Sequence, residues 1–163
     1  MKFLLDSNVI LRLFQSSHPH SQIAESAILK LKQAGFSPCL VPQNVYEFWV
    51  VATRPIDNNG LGLSAADARI SVDELLLQFP LLRDERGVFG YWISLITRHQ
   101  VIGKNAHDAR LAAAMERHSI TLLLTFNVGD FKRFSPIQIL LLRIQRPVFF
   151  EFAHVGFEFR RRH

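Results

Sequence analysis

The stretch Phe3-Leu4-Leu5-Asp6-Ser7-Asn8, residues 3–8, indicates the type of fold. Three apolar residues in a row are typical of a strand buried on both faces, and the polar residues that follow favour a turn. A second apolar run, Ile120 to Leu124, is followed in the same way by Thr125-Phe126-Asn127. Because the carboxyl ends of parallel strands meet at one edge of a sheet, we expect both polar ends to lie there together.

Segments with helical periodicity alternate with the apolar runs, which predicts a parallel sheet covered by helices on both faces. The predicted helices are Ser21–Ala34, Gln43–Thr53, Ser64–Phe79, about Gly87–His99 and Ala106–His118. The other predicted elements are a strand at Cys39–Val41 stopped by Pro42, a strand at Leu81–Leu82, a short turn at Phe131–Phe134 and a last strand at Ile137–Leu140.

Composition and length exclude several classes of protein. The 163 residues suit one compact domain, and 48% hydrophobic with 20% charged residues is typical of globular proteins. A single cysteine, Cys39, excludes an intramolecular disulfide and a Cys-rich zinc site. Asp6 interrupts the only candidate signal sequence, and no apolar run approaches the length of a membrane span. We therefore expect a soluble, cytoplasmic protein with no membrane contact.

Acidic side chains fall where the predicted strands end or the following helices begin. They are Asp6, Glu47, Asp108 and Asp130, and Asn127 adds an amide oxygen. Two like charges about 4 Å apart repel by roughly 4 kcal/mol at an effective dielectric near 20, so such a cluster favours protonation or a hard cation. Oxygen ligands favour Mg²⁺ or Mn²⁺, and hydrolysis of a phosphodiester is the reaction class that such an ion serves.

Each acid also has an ordinary structural interpretation. Asp6 is a suitable cap for the turn after its strand, and Asp130 is a suitable N-cap of the Phe131 turn. Glu47 suits the exposed face of a helix, and Asp108 favours the positive end of its helix dipole. The metal site is therefore one of two interpretations that the pattern supports.

Two segments resemble the first motifs of the PIN-domain family. The opening FLLDSNVIL, residues 3–11, is similar to the first strand and turn of that family, with Asp6 as its acid and Ser7 and Asn8 in support. QNVYEFWVVATRP, residues 43–55, resembles the second motif, with Glu47 at the acidic position.

Two later segments resemble the remaining motifs, in the family's order. NAHDARLAAAM, residues 105–115, is similar to the third, with Asp108 as its acid. LLLTFNVGDF, residues 122–131, resembles the fourth, in which a strand and its threonine, Thr125, precede an acid or asparagine. Asn127 stands where relatives often carry an aspartate, and Asp130 is the nearby candidate for the missing charge.

The resemblance implies a Rossmann-like α/β/α sandwich and a metal-dependent endoribonuclease. Within that family the chain resembles the VapC-type toxins, and this resemblance implies an RNA substrate, an antitoxin partner and a homodimer. It also implies that Asp6, Glu47 and Asp108 hold Mg²⁺ or Mn²⁺, with Asn127 and Asp130 as a fourth ligand or a pair that orients water. Arg54 is a candidate contact to an RNA phosphate, or an ordinary loop arginine.

The similarity covers residues 1–140, and a C-terminal extension follows at 141–163. The extension holds five of the 19 basic residues, two of the 14 acidic ones and five of the 14 phenylalanines, so much of the net charge of +5 belongs to it. Alternation from Ala153 to Phe159 permits an added edge strand that contacts a partner or RNA, and a non-native or disordered end is the other interpretation.

Two other functions compete with the nuclease. The first is a catalytically degenerate module that keeps the fold and binds RNA or protein without catalysis, and it is suggested by Asn127 at a position where relatives often carry an aspartate. The spacing of Asp6 and Asn8 also resembles an aspartyl-phosphate hydrolase with Asp6 as nucleophile. The hydrolase is disfavoured, because no lysine follows a predicted strand and no second acid stands beside Asp6.

Overall fold

The computed structural model describes residues 1–134, 137–141 and 151–152. Its strands are β1 (Lys2–Leu5), β2 (Ser37–Cys39), β3 (Leu122–Thr125), β4 (Gln138–Leu141) and β5 (Glu151–Phe152). Its helices are α1 (Ser7–Leu13), α2 (Ser21–Gln33), α3 (Pro42–Thr53), α4 (Ala65–Gln78), α5 (Gly87–Arg98), α6 (Asn105–Arg117) and α7 (Val128–Phe131), with a 3-10 turn at Ile56–Asn58.

One sheet organises the described residues, in the strand order β2-β1-β3-β4-β5. The first four strands are parallel, and β5 pairs with β4 in the antiparallel sense. Leu4 stands opposite Leu123 in the register of the two central strands, β1 and β3. The predicted parallel sheet is confirmed.

Helices cover both faces of the sheet, because successive strand residues point to opposite sides. On one side Phe3, Leu5 and Leu124 pack against buried residues of α1, α2, α3 and α4. On the other side Leu4 and Leu123 pack against α5, α6 and α7. Two separate apolar cores result, and the expected three-layer α/β/α sandwich is confirmed.

Three predicted local features are wrong, each because the backbone follows a different path. The polar turn after β1 is instead the start of α1, since the Asp6 carbonyl accepts from the amides of Val9 and Ile10 at 2.9 and 3.2 Å. The second strand covers Ser37–Cys39 rather than Cys39–Val41, because Pro42 starts α3, where its missing N–H costs nothing.

The third of these features is the strand at Leu81–Leu82, which forms one isolated bridge, from Leu81 to Leu40. The predicted turn at Phe131–Phe134 is confirmed, since the Phe134 amide donates to the Phe131 carbonyl at 3.0 Å, and the chain enters this turn from α7, which begins at Val128. Asp130 therefore lies inside α7, and its interpretation as an N-cap is wrong, because Asn127 occupies that position.

Of the C-terminal extension, the structure describes residues 141 and 151–152. The strand expected from Ala153 to Phe159 lies outside the described residues. Within the part of the chain that the structure describes, no helix combines the length and the apolar character needed to cross a membrane.

Candidate metal centre

Asp6 is a buried carboxylate at the carboxyl end of β1, with 8% of its surface exposed. Its Oδ2 accepts hydrogen bonds from Thr125 Oγ1 at 2.6 Å and from Asn8 Nδ2 at 2.7 Å. Thr125 ends β3, so these bonds join the two central strands where both terminate. The expectation that the two polar strand ends meet is confirmed, and one of the two carboxylate oxygens of Asp6 is held in a fixed orientation.

The surroundings of Asp6 favour its protonated form when no cation is bound. Burial raises the pKa of Asp6 to about 6, the hydrogen bond from Thr125 acts against this, and the charges of Glu47 and Asp108 raise it. Three acids from β1, α3 and α6 therefore lie close enough for their charges to interact.

Glu47 and Asp108 approach this edge because α3 and α6 both have their first turns there. The side chain of Gln43, in the first turn of α3, donates from Nε2 to Glu47 Oε1 at 2.7 Å and to the His107 carbonyl at 2.8 Å. This amide joins the two helix starts. Glu47 and Asp108 are both half-buried.

Asp108 is perturbed in the same direction as Asp6. Burial raises the pKa of Asp108 to about 6, the charges of Asp130 and Glu47 add to this, and those of His107 and Arg133 act against it. Asp130 is exposed on α7, and its effect on Asp108 places it in the same electrostatic cluster. We call Asp6, Glu47, Asp108 and Asp130 the carboxylate site.

The other predicted site residues have separate positions. The Asn127 amide donates to Thr125 Oγ1 at 2.9 Å, while the Asn127 side chain is exposed. Ser7 is buried in the first turn of α1, where its hydroxyl accepts from Asn44 Nδ2 at 3.3 Å. Arg54 directly follows α3, seven residues beyond Glu47 and thus about 10 Å along the helix axis, so the structure does not bring it to the acids.

Three polar residues that the sequence analysis did not single out support the site. Gln43 and Asn44 are buried at the start of α3, and Asn44 Nδ2 donates to the Leu5 carbonyl at 3.0 Å. Arg110 Nη1 donates to Gln43 Oε1 at 3.3 Å. The available signal was a pair of amides at the start of a predicted helix, in the same motif as Glu47.

The donor set suits a hard divalent cation. Across residues 1–134, 137–141 and 151–152, no three acidic, histidine or cysteine side chains lie close enough together to enclose an ion as they stand. The buried Asp6 nevertheless shares its surroundings with like charges, and its Oδ2 alone takes the hydrogen bonds from Thr125 and Asn8. Carboxylate oxygens that repel one another are the ligands that Mg²⁺ and Mn²⁺ favour.

The raised pKa of Asp6 predicts that the metal-free protein loses stability as the pH rises. A proton binds Asp6 more tightly in the folded state, at a pKa of about 6, than in the unfolded state, near 3.8. The stabilisation from this proton is complete below pH 3.8 and is lost as the pH rises through 6. The resulting decrease in the free energy of unfolding is roughly 3 kcal/mol. In thermal unfolding in EDTA between pH 4 and pH 7.5, the melting temperature of Asp6→Asn should therefore increase relative to that of the wild type as the pH rises.

Asp57→Asn, which alters an exposed carboxylate in the 3-10 turn, is the matched control and should follow the wild type. A constant difference between wild type and Asp6→Asn across this pH range would contradict the prediction.

The chain is similar to known proteins in sequence and in fold. The model of the PIN domain matches residues 3–135. No curated protein sequence matches the chain.

Several solved structures share the fold. A chain of VapBC2 from Rickettsia felis, bound to a DNA fragment from its promoter, superposes with a TM-score of 0.67 at 14% identity, over 85% of this chain and 97% of that one. A chain of VapBC-1 from nontypeable Haemophilus influenzae gives 0.63 at 17% identity, over 87% and 98%. VapC20 from Mycobacterium tuberculosis, described as a Sarcin-Ricin loop cleaving toxin, gives 0.54 at 12% identity, over 80% and 92%. At these identities the likeness shows a shared fold.

Proposed function

The chain belongs to the PIN domain family, and from this premise we propose that it is a metal-dependent endoribonuclease that hydrolyses phosphodiester bonds in RNA. The observation that carries the proposal is the convergence of four acids from β1, α3, α6 and α7. Their mutual repulsion contributes to the raised pKa values of Asp6 and Asp108. Such a cluster is costly for a structural role and useful for holding a cation.

Asp6, Glu47, Asp108 and Asp130 would hold Mg²⁺ or Mn²⁺, and Asn127, which follows β3, would be the alternative fourth ligand through its amide oxygen. A divalent ion there would lower the pKa of water and stabilise negative charge on a phosphoryl oxygen. Thr125 and Asn8 orient Asp6 through its Oδ2. Because these hydrogen bonds are already formed without a cation, Oδ2 of Asp6 has a fixed orientation before a cation binds.

We further propose that the protein acts as the toxin of a toxin–antitoxin pair in the cytoplasm, as a homodimer, and is restrained by a cognate antitoxin. The support is that neighbours from Rickettsia felis and Haemophilus influenzae are VapBC assemblies and that VapC20 is described as cleaving the Sarcin-Ricin loop. The fold match extends over nearly the whole length of these neighbours.

The test is cleavage of an end-labelled structured RNA by the purified protein. We expect fragments in Mg²⁺ or Mn²⁺ and none in EDTA, since the acids act through a cation. Asp57→Asn should cleave like the wild type. Asp6→Asn, purified in the same way, should be inactive, and this pair of results excludes a contaminating nuclease. RNA binding without cleavage in any divalent metal would contradict the proposal and favour the binding module that Asn127 suggests.

A further inference from the structure

A single buried amide connects the two helices that carry Glu47 and Asp108. Gln43 has 6% of its surface exposed, and its Nε2 donates to Glu47 Oε1 at 2.7 Å and to the His107 carbonyl at 2.8 Å. His107 directly precedes Asp108 on α6. We infer that Gln43, held by Arg110, is a positioning residue that sets the spacing of Glu47 and Asp108 for cation binding, an inference that rests on the proposed function.

The contacts of Gln43 allow only one orientation of its amide. Both Nε2 hydrogens face acceptors, the Glu47 carboxylate and the His107 carbonyl, while Oε1 faces a donor, Arg110 Nη1, at 3.3 Å. Rotating the amide by 180° would put Oε1 against two acceptors and Nε2 against a cation. Arg110 therefore keeps the donors of Gln43 directed at the carboxylate site.

Arg110 is itself anchored at its other end. Its Nη2 donates to Asp84 Oδ2 at 2.7 Å, in the segment between α4 and α5. The planar guanidinium fixes the angle between its two donors, so the Asp84 contact also determines the direction of Nη1. Asp84, Arg110, Gln43 and Glu47 thus form one continuous chain of hydrogen bonds from the surface to the carboxylate site.

The neutral amide suits a neighbour of a metal ligand better than a charged side chain would. Gln43 holds Glu47 by a hydrogen bond to Oε1 and adds no positive charge, so it does not compete with a cation for the carboxylate. A lysine in this place would form an ion pair with Glu47 and compete directly with the cation. Hydrogen bonds of this kind to metal ligands change metal affinity or activity by about 10- to 100-fold.

The experiment measures Mn²⁺ affinity by calorimetry for Gln43→Met, Arg110→Met and the double variant. Methionine has the length of glutamine and keeps part of the aliphatic stem of arginine, and in both cases it removes the polar contacts. We expect Gln43→Met to weaken Mn²⁺ binding by about 10- to 100-fold. Arg110→Met should weaken it less, and the double variant should match Gln43→Met, because Arg110 acts through Gln43.

Arg69→Met is the matched control, because Arg69 makes an exposed ion pair with Asp73 on α4, away from the carboxylate site. It should bind Mn²⁺ like the wild type. Unchanged affinity in Gln43→Met, or losses from the two single variants that add in the double variant, would overturn the inference.

A crystal structure of metal-free Gln43→Met gives a readout that is independent of activity. The inference expects Glu47 to turn away from the start of α6, and an unchanged Glu47 position would overturn it. Wild-type protein that neither binds Mn²⁺ nor cleaves RNA would instead contradict the proposed function, and the crystallographic readout would still decide the role of Gln43. The two failures are thus distinguishable.

Discussion

Asp6→Asn is expected to lower metal-dependent RNA cleavage by roughly two to three orders of magnitude, the range seen when one electrostatic contact to a reacting group is removed. Asp6 is the most buried acid of the carboxylate site, and Thr125 and Asn8 hold it in place. Asparagine keeps the shape and one acceptor oxygen but removes the charge. Single-turnover cleavage in saturating Mn²⁺ measures the decrease in the cleavage rate. The melting temperature in EDTA at pH 7.5 should stay level or rise, because asparagine is not repelled by the charges of Glu47 and Asp108.

Asp108→Asn is expected to behave in the same way, since Asp130 and Glu47 repel it in the wild type. The matched control is Asp57→Asn, which changes an exposed carboxylate in the 3-10 turn and should keep wild-type activity. Wild-type cleavage rates in Asp6→Asn or Asp108→Asn would remove that residue from the site. A lower melting temperature together with lost activity would show that the folded state, rather than the cation, depends on the carboxylate.

The sequence predicted the central part of this arrangement because the determining signals are local. A buried apolar run followed at once by polar residues indicates where a parallel strand ends, so the meeting of Asp6 with Thr125 followed from two short segments. Glu47 and Asp108 followed from their places near the starts of helices, about one turn into α3 and in the first turn of α6, since such helices start at the same edge of the sheet.

The remaining features depend on contacts that no local pattern records. The amide of Gln43 has its partners 64 and 67 residues away, at His107 and Arg110, and several orientations of that side chain are compatible with the same helix. The polar run after β1 favours a turn, and the packing of Val9 and Ile10 in the core selects a helix start instead. The sequence left Asp130 open between a metal ligand and the N-cap of the Phe131 turn, and only the structure places it inside α7, where Phe131 is buried against the sheet.

Either Asp130 or Asn127 would supply the fourth ligand of the cation, and substitution of each residue tests which one does. The charge of Asp130 raises the pKa of Asp108, whereas Asn127 contributes only an amide oxygen. Asp130→Asn is therefore expected to weaken Mn²⁺ binding and cleavage together, by about 10-fold or more. Asn127→Asp should be tolerated or should tighten the metal, because it adds a carboxylate next to Thr125 at the same strand end.

Both variants are read by titrating Mn²⁺ while following cleavage of a structured RNA, with Asp57→Asn as the control. If Asp130 serves only as a first-turn acid of α7, its replacement removes a helix-dipole interaction of about 0.3–1 kcal/mol and leaves the Mn²⁺ dependence unchanged. We compare the Mn²⁺ midpoint of Asp130→Asn with that of the double variant Asp130→Asn/Asn127→Asp. A midpoint that shifts in the single variant and returns to the wild-type value in the double variant would show that the site requires a fourth negative charge at either position. An unshifted midpoint would assign cation binding to Asp6, Glu47 and Asp108 alone, because the three remaining carboxylates would then supply all the charge that the cation needs.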